Sequence, residues 1–148
     1  MLYAKSDPPE SLKSHIRKCL ENYEQLKREH PDLLSEKDWM ILRLAVTHHD
    51  DGKIDPSFQK EMEEQIKGER HKRKRNRICH SFLSGAFLDR EKLRRDCGLA
   101  KQDRNILFRS VYYHHARKEP EKEEIRDFIA RIVTEERNCL SVIKPVTQ

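Results

Sequence analysis

Ser35-Glu36-Lys37-Asp38-Trp39-Met40-Ile41-Leu42-Arg43-Leu44-Ala45-Val46-Thr47-His48-His49-Asp50-Asp51-Gly52-Lys53 is the stretch on which the rest of the chain is organised. Ser35 followed by Asp38 has the form of a capping box, and Trp39, Ile41, Leu42, Ala45 and Val46 are dense enough to make the central buried helix. That helix is expected to run to Asp51-Gly52, where a glycine permits a sharp exit. Upstream, Pro8 and Pro9 precede Leu12, Ile16, Leu20 and Tyr23 at helical spacing, which predicts a first amphipathic helix ending near His30-Pro31. Downstream, Asp55-Pro56 opens a third helix with Phe58, Met62 and Ile66, closed by Gly68. A fourth stripe runs through Ile78, Phe82, Leu83, Ala86 and Phe87. After a break at Gly98, Ile106, Leu107, Val111 and Tyr112 form a fifth, and Pro120 opens a sixth with Ile125, Phe128, Ile129, Ile132 and Val133.

The composition agrees with helices throughout. Of 148 residues 39% are charged, 35% are hydrophobic and only 4 are Gly, which favours solvated helices over a turn-rich sheet protein. The expected fold class is all-α, one domain over residues 1–148 with about six helices, without repeats or low-complexity tracts, and with residues 68–75 as the linker. No apolar run approaches membrane-spanning length, so no membrane association is expected. Residues 1–10 lack the basic and apolar regions of a secretory signal, so the cytoplasm is the expected compartment. Cys19, Cys79, Cys97 and Cys139 form no CxxC pair and read as buried free thiols. The charge surplus of +5 resides in residues 69–77, where Arg70, Lys72, Arg73, Lys74, Arg75 and Arg77 face a single Glu; this run is either a solvated face or a surface for phosphate backbones.

Of eight histidines, His15, His49, His80, His114 and His115 fall in helices or at helix ends near the expected core, together with Asp50. Imidazole and carboxylate together suit divalent transition metals. In His49-Asp50-Asp51-Gly52-Lys53, both central residues can turn toward one metal if the last helical turn unwinds, with the lysine beside them. That set fits phosphoester hydrolysis, in which metal acidifies a water and the lysine neutralises a phosphate. His48 points about 100° away around a helix and reads as a residue that packs or supports the ligands from behind, and not as a ligand. His30 and His71 read as solvent-facing, and Phe58 and Tyr112 as core.

These residues together resemble an HD-superfamily metal-dependent phosphohydrolase, specifically the HD nuclease module of type I CRISPR systems, stand-alone or fused to the helicase. The resemblance rests on Ser11-Leu12-Lys13-Ser14-His15, His49 to Lys53, Phe58-Gln59, His80-Ser81 with Ser84-Gly85, and His114-His115, preceded by Ala4-Lys5-Ser6. It implies an HD helical bundle with a metal site between central helices. His49 and Asp50 would be central ligands, Asp50 bridging two metals, with His15 on the side of the first metal and His80, His114 and His115 on that of the second. Asp50 and Lys53 would be the catalytic pair, with Gln59 supporting them from behind. The family pattern closes with a further aspartate, here either Asp127 or a residue beyond Gln148, so the domain is either complete or truncated at its C-terminus. The implied cofactors are one or two divalent ions, manganese or magnesium, with nickel or cobalt as alternatives. The implied partners are single-stranded DNA, a CRISPR-associated helicase and the RNA-guided surveillance complex. Two other readings stand beside it: a phosphohydrolase acting on nucleotides or cyclic nucleotides, and a catalytically incomplete module that docks a helicase or nucleic acid.

Overall fold

The computed structural model describes residues 1–69 and 79–115. The basic stretch 70–77, the sixth expected helix from Pro120, Cys139 and Asp127 lie outside the described residues.

Among the described residues the fold is six α-helices preceded by a small hairpin of β1 (Tyr3–Ser6) and β2 (Pro9–Ser11). The helices are α1 (Leu12–Glu29), α2 (Glu36–His48), α3 (Pro56–Ile66), α4 (His80–Ala86), α5 (Arg90–Cys97) and α6 (Lys101–Tyr112). No helix among them is long and apolar enough to cross a membrane.

The expected caps at Ser35 and Asp55 form, and Ser11 supplies another. Ser11, Ser35 and Asp55 accept hydrogen bonds from the backbone N–H of Ser14, Asp38 and Ser57, satisfying donors that the first turns of α1, α2 and α3 leave open. Three features differ from expectation. Pro8 and Pro9 do not lead directly into a helix: Pro9 opens β2, pairing with Ser6, at a sheet edge where its missing N–H costs nothing. The helix α5 has no apolar stripe to announce it. It is held by Asp89, which accepts from Glu91 and Lys92, by burial of Leu93, and by Gly98 at φ 64°, a left-handed cap that a side chain disfavours. The α-helical part of α2 stops at His48 rather than Asp51-Gly52, and a 3-10 turn, Asp51–Ile54, follows.

The core joins α2, α5 and α6 through Ile41, Leu88, Leu93, Leu99, Leu107 and Val111. Leu107 and Val111 are fully buried, each worth about 2 kcal/mol of transfer free energy. Fully buried Trp39 anchors α1: Tyr23 donates from its hydroxyl to the Trp39 carbonyl at 3.1 Å, and the indole N–H donates to the Pro31 carbonyl. The cysteines depart from expectation, because Cys19 and Cys97 are half-buried and Cys79 is exposed; all three are free thiols. The packing of α2 beside α6 brings the C-terminal ends of these helices together, the His49 and His114 rings lying 5.3 Å apart.

Candidate metal centre

The ends of α2 and α6 solve one steric problem the same way. Adjacent residues on a helix diverge by about 100°, so a neighbouring pair reaches one point only where the helix unwinds. After His49 at φ −58°, ψ −31°, Asp50 shifts to φ −109°, ψ 10°. After α6, Tyr113 takes φ −102°, ψ 10°, followed by His114 and His115. The last carbonyls of a helix lack intrahelical partners, and here histidines supply them. His49 Nδ1 lies 2.8 Å from the Val46 oxygen and His114 Nδ1 lies 2.6 Å from the Val111 oxygen. A carbonyl only accepts, so each Nδ1 carries the proton and each Nε2 keeps a lone pair for a metal.

Both lone pairs point toward Asp50, which is 1% exposed. Asp50 Oδ2 lies 3.3 Å from His15 Nε2, 3.5 Å from His49 Nε2 and 2.7 Å from Lys53 Nζ. Asp50 Oδ1 lies 3.2 Å from His80 Nε2 and 3.6 Å from His114 Nε2, and His115 Nε2 is 2.9 Å from His80 Nε2. Burial opposes the Asp50 charge, but its polar neighbours, the Lys53 ammonium at 2.7 Å among them, outweigh it and hold the carboxyl below the usual carboxylate range. Burial lowers the pKa of His49 and His80, and lowers that of His115 to about 4, so these imidazoles are neutral near pH 7.

The other elements bring their residues in through close backbone contacts. Gly52 follows Asp50 directly, and a Cβ on it would collide with the backbone oxygen of His80, 2.7 Å from the Ser84 nitrogen and 2.8 Å from Leu83 Cβ. Its φ is not positive, so the glycine serves the approach of α4 and not the sharp exit expected from sequence. The buried Ser84 hydroxyl accepts from the Gly52 N–H at 2.8 Å and donates to the His80 carbonyl at 2.9 Å, locking α4 to the 3-10 turn. Phe58 packs its ring edge against His80 at 5.5 Å. Gln59 treats β1 as a strand partner would, accepting from the Tyr3 N–H at 2.7 Å and donating to the Tyr3 carbonyl at 2.9 Å, and it also donates to the Lys53 carbonyl.

The structure therefore brings His15, His49, Asp50, Lys53, His80, His114 and His115 to one place, with Gln59 beneath them. Arg70, Lys72, Arg73, Lys74, Arg75, Arg77 and Asp127 lie outside the described residues. His48 turns aside to Asp51, Nδ1 to Oδ2 at 2.7 Å. Tyr112 is buried and stacks on Phe82 and Phe108.

Two residues at the centre are not among the site residues expected from the sequence. Glu10, on β2, lies 3.4 Å from His15 Nδ1, while Lys18 at 2.7 Å, against the opposing effect of burial and with help from Lys5 at 3.2 Å, lowers its pKa to about 2. A carboxylate behind a ring nitrogen orients the other nitrogen toward a metal. Nothing in the sequence marks Glu10, because the hairpin that carries it is not legible there. Cys19 lies 3.9 Å from His15 Nε2, and burial with the Asp50 and Glu10 charges pushes its thiol up. Its signal was available: it stands four residues after His15, on the same face of α1.

A family model described as Cas3, HD domain, matches residues 5–143. The chain belongs to the Cas3 HD family. No curated protein and no solved structure matches it. As the HD nuclease module of Cas3 helicase-nucleases, it is an HD-type metal-dependent nuclease of a CRISPR system, and the family implies divalent metal. The Cas3 HD centre fits such an ion. Asp50 Oδ1 and His114 Nε2 are buried atoms without a hydrogen-bond partner, two acceptors facing one another, an arrangement that a cation between them makes favourable. The donor atoms of Asp50, His80, His114 and His115 all lie within 4.8 Å of one another, as do those of His15, Cys19 and His49.

Proposed function

We propose that this Cas3 HD domain cuts single-stranded DNA in type I CRISPR interference, with one or two divalent ions held by His15, His49, Asp50, His80, His114 and His115. The observation that carries the reading is the buried Asp50 carboxylate, with imidazole nitrogens facing each of its two oxygens. Manganese, magnesium, nickel or cobalt bound there supplies Lewis acidity toward a phosphodiester and a nucleophilic water. Asp50 stands between the two ligand groups, and burial keeps His49 and His80 neutral at physiological pH, so each ring has one nitrogen lone pair to offer a metal. Lys53, its ammonium 2.7 Å from Oδ2, offers positive charge to a phosphate oxygen at the same carboxylate.

Arg70, Lys72, Arg73, Lys74, Arg75 and Arg77 supply the backbone contacts in this reading, so binding falls steeply with salt and carries little sequence preference. Sequence choice then belongs to the guide RNA of the surveillance complex, and strand delivery to the partner helicase. The test is cleavage of labelled single- and double-stranded DNA by metal-free protein supplied separately with manganese, magnesium, nickel or cobalt, beside Asp50→Ala. Cleavage confined to single strands and lost in Asp50→Ala is expected. Absence of cleavage with every metal, with DNA binding retained, would replace this reading with the docking module. Activity on nucleotides that is indifferent to neutralising the six basic residues would replace it with a small-molecule phosphohydrolase.

A further inference from the structure

We propose that Cys19 is a ligand of the metal held by His15 and His49, so that this half of the centre takes a borderline-soft late transition ion such as zinc, iron(II), cobalt(II) or nickel in preference to magnesium. The inference rests on the metal-centre reading above and concerns the identity of one donor within it.

The geometry is that of a set and not of an isolated thiol. His15 and Cys19 stand one turn apart on α1, and His49 enters from the end of α2 with its Nδ1 proton committed to Val46. The three donor atoms lie within 4.8 Å of one another, and Cys19 Sγ is 3.9 Å from His15 Nε2. Zinc-type bond lengths of about 2.3 Å to sulfur and 2.0 Å to nitrogen put ligand atoms roughly 3.5 Å apart for S···N, a few tenths of an ångström less than the observed Cys19–His15 separation. Asp50 Oδ2, 3.3 Å from His15 Nε2 and 3.5 Å from His49 Nε2, supplies the fourth donor. Two imidazoles, a carboxylate and a thiolate thus make up a set of four donors among the described residues. On binding, the thiol releases its proton to solvent as the sulfur–metal bond forms, with no change of oxidation state. Thiolate is a soft donor and magnesium a hard ion that prefers oxygen, which sets the selectivity. The Oδ1 half, built from His80, His114 and His115 with the same carboxylate, has no sulfur in its donor set among the described residues.

Cobalt(II) separates the two halves spectroscopically. Metal-free full chain is titrated with cobalt(II) under anaerobic conditions, and visible d–d bands report any bound ion, while a near-ultraviolet sulfur-to-cobalt charge-transfer band reports thiolate ligation. The expected result is both signals in the unaltered protein and in Cys79→Ser, Cys97→Ser and Cys139→Ser, with the charge-transfer band alone lost in Cys19→Ser. Visible bands without charge transfer, or charge transfer that survives Cys19→Ser, would overturn the proposal and leave the metal centre standing. Absence of both signals would overturn the metal-centre reading with it. X-ray absorption at the zinc edge gives the same answer if Cys19→Ser fails to fold: in a chain carrying only Cys19, one sulfur in the zinc shell is expected, and a shell of nitrogen and oxygen alone would refute it.

Discussion

The two oxygens of Asp50 face unlike surroundings. Oδ1 looks onto His80 and His114, with His115 behind, whereas Oδ2 is shared by His15, His49 and the Lys53 ammonium, with Cys19 at its edge. On the Oδ1 side burial keeps His80 and His115 neutral and leaves two acceptors opposed. On the Oδ2 side a permanent cation already pairs with the carboxylate. A divalent ion entering the first half has to break the hydrogen bond between the His80 and His115 Nε2 atoms, while one entering the second competes with Lys53 for the same oxygen. The halves are thus built to differ in affinity as well as in donor softness, although they share one residue.

The largest effect tests the sharing. Asp50→Asn keeps size but removes the charge, and is expected to lower cleavage by about 10³-fold or more, on the scale of losing a principal transition-state stabiliser, and to weaken metal at both halves in calorimetric titration. Loss at one half only would show that the carboxylate does not bridge them.

Next in size is Gly52→Ala, which addresses the Oδ1 half through the backbone. Its Cβ meets the His80 carbonyl, a backbone atom that no rotamer change can move aside. Pushing α4 away is expected to cost about 1–3 kcal/mol in denaturant unfolding, and a displacement of His80 by about 1 Å to cost roughly 10²-fold in cleavage. The cobalt–thiolate band of the other half should survive, and its loss would mean that the halves are mechanically coupled.

Glu10→Gln reaches the Oδ2 half from behind. Removing the carboxylate that faces His15 Nδ1 is expected to weaken metal at that half by about 10- to 100-fold, while the Oδ1 half keeps its affinity. Equal weakening of both would assign Glu10 a general electrostatic role.

The smallest effect is read in pH. His49, His80 and His115 are held neutral in the fold, whereas in the unfolded chain they take up protons as pH falls through about 6.5. The unfolded state then binds more protons, so stability present at pH 7 is lost between about pH 6.5 and 4; the lowered pKa of Asp50 acts in the same direction further down. The Tm of the metal-free protein is expected to fall from pH 7 to pH 5, and His115→Gln to flatten that slope. A Tm that rises on acidification would show that the imidazoles are charged in the fold.

Periodicity made α1, α2, α3 and α6 legible, because each carries an apolar stripe, and at α2 and α3 the caps Ser35 and Asp55 marked the start as well. The α5 helix was not, since Leu93 is its one buried residue and its signal is a polar cap with Gly98. The hairpin was hidden for a related reason: two strands of 4 and 3 residues are marginal alone, and β1 is completed by Gln59 from a helix far along the chain. The histidines and Asp50 stand out by type and adjacency. What adjacency hides is which oxygen of Asp50 each one faces.

By itself the sequence determined the helical class, the adjacent pairs His49-Asp50 and His114-His115 and the family, because these depend on local spacing and residue type. Tertiary structure decided that Gly52 is a contact with α4, that Glu10 stands behind His15, and that Cys19 joins His15 and His49. Each of these depends on how separate elements are placed, Gly52 against α4, the hairpin against α1 and the end of α2 against α1, which spacing along the chain does not fix.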